Sequence, residues 1–111
     1  MTWVDAEIYC VSQGANLVSI HSLEEQNFVT FLIKNFDLAE VQTWIGLSDI
    51  HKEGAWLWSD GSAAKFVYWS KRMPNNGRGN EHCVQTNYPK GLKWNDAPCS
   101  RTFPFVCGSR N

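Results

Sequence analysis

Oxygen-bearing side chains crowd into one stretch of this chain, from Trp69 to Cys99. Within it, Met73-Pro74-Asn75-Asn76-Gly77-Arg78-Gly79-Asn80-Glu81 has no apolar periodicity and is dense in turn formers, which predicts a long irregular loop. Beyond the loop, His82 to Thr86 and Leu92 to Trp94 have the composition of two short strands. Between them, Tyr88-Pro89-Lys90-Gly91 is a turn signal. A hairpin of these strands sets Thr86 near Leu92 and returns Glu81 to the level of Asn95 and Asp96. Asn75, Glu81, Asn95 and Asp96 then converge as two carboxylates and two amide carbonyls, a donor set for a hard cation such as Ca²⁺. The plainer reading of the same residues is a set of solvated turn side chains.

Two helices and a few short strands must hold that loop. Thr2 to Gln13 reads as a helix capped by Thr2, with Trp3, Ala6 and Cys10 on one face and Gly14 as the stop. Leu17 to Ile20 is a short strand or extended link. Ser22-Leu23-Glu24-Glu25 is a capping box. It opens a second helix that runs to about Asn35, with Phe28, Phe31 and Leu32 expected to face inward. From Thr43 the period changes. Thr43 to Leu47 is a nearly continuous apolar run, as in a strand buried on both faces. Ala55 to Trp58 is a further strand, ended by the turn Ser59-Asp60-Gly61-Ser62. Helices followed by strands, with long loops between, predict an α+β fold of small antiparallel sheets in one domain, 1–111. Gly61 to Glu81 has little regular structure, and loops of that length in a compact domain are usually functional.

Composition narrows the function further. The chain has 111 residues and a formal net charge of -1, so bulk charge points to neither a nucleic-acid partner nor an anionic membrane surface. No apolar run reaches the length of a membrane span. The four cysteines, at 10, 83, 99 and 107, include no C-x-x-C pair. Their even number in a small domain points to two disulfides and an oxidising, extracellular compartment. Three pairings are possible in principle. The hairpin favours Cys83 with Cys99, and Cys10 with Cys107 follows by elimination. The longer bridge closes a loop of roughly 100 residues, for which chain entropy supplies about 4–5 kcal/mol, against about 3 for the shorter one. No apolar leader follows Met1, which on this reading makes the chain a mature or partial extracellular piece.

Taken together, Trp44-Ile45-Gly46-Leu47, Trp56-Leu57-Trp58, Pro74-Asn75, Glu81-x-Cys83, Trp94-Asn95-Asp96 and the four cysteines resemble the C-type lectin-like domain over nearly the whole chain. Trp3-x-Asp5-Ala6-Glu7 and Leu17 to Ile20 are similar to that family's first helix and the segment after it. The resemblance implies a calcium ion held by the long loop, with vicinal sugar hydroxyls completing its shell. The family's main motif is Glu or Gln, a cis proline, Asn or Asp, then Glu, and later Asn-Asp after Trp. Pro74, Asn75, Glu81, Asn95 and Asp96 match it, with Asn75, Glu81 and Asn95 also implied as sugar contacts. Met73 stands where the first acid or amide should be, and a thioether is a poor Ca²⁺ ligand. The resemblance therefore implies a weakened main site.

An auxiliary calcium site is also implied, at Asp49 and Glu53 plus two loop acids. Here Asn76 and His82 occupy the loop positions, which leaves that set less anionic. Lys71, Arg72, Arg78 and Lys93 flank the loop as a solvated basic rim, or as a surface for anionic glycans or an acidic protein. The family's usual first strand pairs with the last one. The chain starts after that strand, so Phe103 to Cys107 is expected as an exposed edge or as part of a homodimer. Pro74-Asn75 resembles the mannose/fucose form of the motif. The alternative to a calcium-dependent lectin is a lectin-like domain that recognises a protein or ice. Catalysis is not expected: His21, His51 and His82 are scattered, no G-x-S-x-G nucleophile motif occurs, and Glu81 and Asp96 serve better as ligands than as an acid pair.

Overall fold

Thr2 opens the first helix as its side chain predicts, accepting a hydrogen bond from the Asp5 N–H at 3.3 Å. The computed structural model describes residues 1–37, 41–88 and 92–109, without the side chains of Phe36, Asp37, Arg78 and Tyr88. Helix α1 spans Trp3–Ser12 and buries Trp3, Ala6 and Cys10, the expected stripe. Gly14 ends it at φ +77°, a conformation that costs glycine nothing. Strand β1 (Ala15–Leu17) follows, then helix α2 (Leu23–Asp37). At the start of α2 the Ser22 hydroxyl accepts from the Glu25 N–H at 3.1 Å. The Glu25 carboxylate bonds the His21 N–H at 3.0 Å, one residue ahead of the reciprocal partner a capping box implies.

Helix α2 corrects one expectation. Phe28 and Phe31 are 62% and 52% exposed, and the buried stripe is Gln26, Val29 and Ile33. Those three positions recur at i, i+3 and i+7, so they share one face, whereas Phe28 and Phe31, themselves three apart, lie together on the opposite face. Hydrophobicity alone pointed inward. The face is chosen by Gln26, whose amide reaches two strands at once. It accepts from the Trp94 indole N–H at 2.7 Å and donates to the Thr86 hydroxyl at 3.0 Å.

Strands β2 (Thr43–Ser48), β3 (Leu57–Trp58), β4 (Cys83–Tyr88) and β5 (Lys93–Ala97) form one antiparallel sheet in the order β3-β2-β4-β5. Strand β2 is buried along its whole length, as its apolar run predicts. A second sheet pairs β1 with β6 (Cys107–Ser109). The two sheets meet at Gly46, where an added Cβ would fall 2.7 Å from the Leu17 carbonyl oxygen. The core divides into two clusters. One gathers Trp3, Ala6, Cys10, Leu17 and Trp44; the other gathers Ile20, Val29, Ile33, Ile45, Leu47, Val84 and Trp94. The disulfides pair Cys10 with Cys107 and Cys83 with Cys99, as expected. Along Phe103 to Cys107, Met1, Val18 and Trp44 make backbone hydrogen bonds to Phe103, Val106 and Pro104. A groove of about 380 Å³, lined by Leu32, Ile33, Thr43 and residues 104–107, runs beside the same segment.

Gln26 supports the sheet from α2, so removing its amide leaves a buried indole N–H and a buried hydroxyl without partners. Gln26→Ala is expected to lower the unfolding free energy by about 2–3 kcal/mol in urea titration, with the far-ultraviolet spectrum unchanged.

Candidate functional site

Strand β5 delivers Trp94, Asn95 and Asp96 to the long loop. Trp94 is fully buried, and the loop is stitched to its backbone. The Trp94 N–H donates to the Tyr68 carbonyl at 2.9 Å, and its carbonyl accepts from the Ser70 N–H at 2.8 Å. Rings of Trp58, Phe66 and Trp69 pack edge-on around the Trp94 indole, with centroids 5.6–5.9 Å away. Two residues on, Asp96 is 0% exposed and turns its carboxylate to the loop. It accepts from the Asn75 N–H at 3.1 Å and from the Asn76 N–H at 2.6 Å. The next amide, that of Gly77, donates to Glu81 Oε1 at 2.8 Å. Successive N–H groups at 75, 76 and 77 thus point at two carboxylates, as in a backbone nest.

The hairpin is built differently from its expected register. Asn95 pairs with Gln85, Asp96 with Val84 and Ala97 with Cys83. Tyr88 pairs with Lys93, and the register shifts between the two sets. Thr86 therefore does not lie opposite Leu92. Glu81 precedes the ladder altogether and meets the loop through Gly77 instead. The irregularity at the hairpin end displaces every pairing that simple counting from the turn assigns. Residues 89–91 of that turn lie outside the described residues.

Asn76 is the node of the loop. Its backbone sits in the left-handed region at φ 45°, where Asn is tolerated better than most residues. Its side-chain oxygen accepts from the Glu81 N–H at 2.9 Å, and its amide nitrogen donates to Glu53 Oε1 at 2.6 Å. The sequence showed Asn76 only as a missing acid of the auxiliary set; the Asn-Gly pair at 76–77 was the signal for its special backbone. Met73 and Pro74 are joined by a cis peptide bond, and Met73 is half-buried. A depression of about 430 Å³ opens beside Glu81, lined by Gly77, Asn80, Pro98 and Arg101.

The auxiliary residues also gather. Ser48 pairs with Cys83, which sets Asp49 across from His82, and the Asp49 N–H donates to the His82 carbonyl at 2.9 Å. His82 Nδ1 lies 3.0 Å from Asp49 Oδ1 and 3.6 Å from Glu53 Oε1. The Glu53 carboxyl is held above its ordinary value by desolvation first and by the negative Asp49 beside it second, with His82 acting in the opposite sense. Of the flanking cations, Lys71 and Arg72 are exposed, and Lys93 Nζ sits 5.1 Å from the centre of the Tyr68 ring. The Arg78 side chain lies outside the described residues.

Residues 1–109 match the family model described as the Lectin C-type domain. The chain belongs to that family. Among its relatives is the galactose-specific lectin nattectin of Thalassophryne nattereri, 45% identical over 107 residues, with 96% of this chain and 67% of that protein covered. Among solved structures, the C-type lectin CEL-I from Cucumaria echinata superposes with a TM-score of 0.91 at 32% identity, covering 96% of this chain and 81% of that one. Herring type II antifreeze protein superposes with a TM-score of 0.87 at 37% identity, with the same coverage of 96% and 81%. The α+β, two-disulfide architecture read from the sequence is therefore that of a C-type lectin domain.

One arrangement in this lectin domain superficially resembles a catalytic group. His21 Nε2 lies 3.1 Å from the Ser19 hydroxyl and 3.0 Å from that of Ser62, with Asp60 adjacent. The Asp60 carboxylate, however, accepts from the two serine hydroxyls, so it does not orient the imidazole as a triad acid does. The set is a turn clamp, in keeping with a family of non-catalytic binding domains. Burial on its own would raise the Asp60 pKa; the hydrogen bonds from Ser19 and Ser62 outweigh it and hold the carboxyl below its ordinary value. Among the described residues, no helix is long and apolar enough to cross a membrane.

Two tests follow from this geometry. Asn76→Gly keeps the left-handed backbone but frees both Glu53 and the Glu81 N–H. Hydrogen exchange at the Glu81 amide should speed up by about tenfold, the equivalent of one lost hydrogen bond. For Asp60, a depressed pKa adds stability above the unfolded value of about 3.9, which is lost as pH falls through the folded value. Asp60→Asn should therefore unfold more easily than the parent at neutral pH. That gap should close below about pH 4 in a thermal-melt series.

Proposed function

We propose that this domain is a calcium-dependent carbohydrate-binding module with a weakened main site, formed by Asn75, Glu81, Asn95 and Asp96. The observation that carries the reading is the nest at 75–77, which draws the two carboxylates of the set to one loop. The donors are all oxygen, the chemistry calcium takes. Asn75 is exposed and the depression beside Glu81 is open, so a sugar hydroxyl can approach the same residues.

Two features weaken the site. Met73 offers sulfur where the family places an oxygen, which leaves a coordination position to water. The nest also engages lone pairs of Asp96 and Glu81 that calcium would use, so binding has to share or displace those N–H bonds. When bound, the ion would supply the positive centre that sugar hydroxyls complete. The chain's own part is to fix Asn75, Glu81 and Asn95 around it, through the buried Trp94 and the Asn76 node.

For the sugar, Pro74-Asn75 favours a mannose- or fucose-type ligand, while the nattectin likeness favours galactose. The mannose/fucose reading is kept because it rests on this chain's own motif. Recognition of a protein or of ice is the second reading. Met73 and the herring antifreeze likeness favour it, since an apolar residue at the loop suits a flat surface better than a sugar ring. The two disulfides support an oxidising, extracellular setting for the domain.

Calorimetric titration with calcium, alone and with mannose, fucose and galactose, separates these readings. Heat with calcium and a further response to mannose or fucose is the expected result, and Met73→Glu should strengthen both. No heat at millimolar calcium, or a Met73→Glu variant indistinguishable from the parent, would rule out the lectin reading.

A further inference from the structure

The group formed by Asp49, Glu53 and His82 differs in kind from the oxygen set above it. One oxygen from each acid and one imidazole nitrogen all lie within 4.8 Å of one another. Calcium takes six to eight oxygens, and an imidazole is not among the donors it prefers. Zinc takes imidazole and carboxylate together, in a tetrahedron with bonds of about 2.0–2.1 Å, which spaces its donors about 3.3 Å apart. The separations of 3.0 Å and 3.6 Å from His82 Nδ1 bracket that spacing.

The surroundings also hold the donors in position. Gly54 N–H bonds Asp49 Oδ2 at 2.9 Å and leaves Oδ1 turned to the imidazole. The Asn76 amide bonds Glu53 Oε1 at 2.6 Å. Such partners fix ligand orientation at metal sites, Gly54 on the Asp49 oxygen left unused and Asn76 on the same Glu53 oxygen that faces His82, which it would share with an ion. The Asp49 side chain is 0% exposed, and a Glu53 carboxylate oxygen lies within 4.8 Å of its own. A divalent cation relieves the repulsion between these two acids more fully than the imidazole alone. Glu53 and His82 are 58% and 30% exposed, which leaves an entry path and a fourth position for water.

We propose that Asp49, Glu53 and His82 form a zinc-type site, selective for an imidazole-accepting divalent ion over calcium. Because Asn76 bonds Glu53 through one side of its amide and the Glu81 backbone through the other, an ion here also steadies the long loop.

The experiment is calorimetric titration of the intact protein with zinc chloride, without calcium and then in millimolar calcium. One equivalent should bind, and calcium should not displace it. His82→Ala and Glu53→Gln should each weaken zinc by at least about tenfold, while circular dichroism confirms that both remain folded. His51→Ala should bind as the parent does. Glu81→Gln, which removes a donor of the proposed calcium set, should also leave zinc binding intact, so failure of the calcium reading and failure of this one are distinguishable. Zinc binding that survives both His82→Ala and Glu53→Gln, or that is lost with His51→Ala, overturns the proposal. So does the absence of any zinc heat in the parent.

Discussion

Burial of Trp94 is the constraint on which the binding face depends. A fully buried indole has to satisfy its N–H, and here the partner is a glutamine on α2. That one bond joins the helix layer to the outer strand of the four-stranded sheet. The backbone of the same residue holds the long loop at Tyr68 and Ser70, and the surrounding rings fill the space beneath. Asn95 and Asp96 inherit their positions from it. A loop with almost no regular structure is thereby fixed by a residue outside it.

Asp96 extends the same logic into the site. A buried carboxylate needs compensation, and the structure provides it with backbone N–H groups of the loop. The loop conformation and the charge stabilise each other. The same bonds stand between the carboxylate and any cation, so the residues that shape the loop also set a threshold for filling it. Met73 raises that threshold by withholding an oxygen. The Asp49–Glu53–His82 cluster meets less opposition, since only the Asn76 amide among its backing partners bonds a donor oxygen. Its acids face an imidazole; Gly54 bonds the Asp49 oxygen turned away from His82, and the Asn76 amide shares the Glu53 oxygen turned towards it.

Much of the scaffold was legible from local chemistry. Thr2 and Ser22 announce helix starts because a side-chain oxygen can reach a free N–H, and Gly14 announces a stop because its φ is positive. The run at Thr43 to Leu47 announces a strand with no solvent face, and both disulfide pairings followed from the expected hairpin. What failed was non-local. Phe28 and Phe31 look like core residues until Gln26 is seen to claim the inward face through partners 60 and 68 positions away. The hairpin register was lost between Gln85 and Tyr88, where Asn87 takes a positive φ inside a run that otherwise reads as plain strand. Asp49 and His82, grouped beforehand only by the family resemblance, meet because Ser48 pairs with Cys83, a pairing that neither residue's own surroundings predict. Of the site, residue types could be read but distances could not, and Asn76, read only as a missing acid, concealed its role as a node.

Gly77 has a consequence for redesign. A Cβ at that position would lie 2.7 Å from Glu81 Oε1, and Asn76 beside it depends on a backbone conformation few residues accept. Random diversification of the loop would mostly discard its shape before it altered what the loop recognises. Variation is tolerated best at Met73, Asn75 and Asn80, which make none of the side-chain bonds holding the turn. A library confined to those three codons would sample new specificities on an unchanged frame.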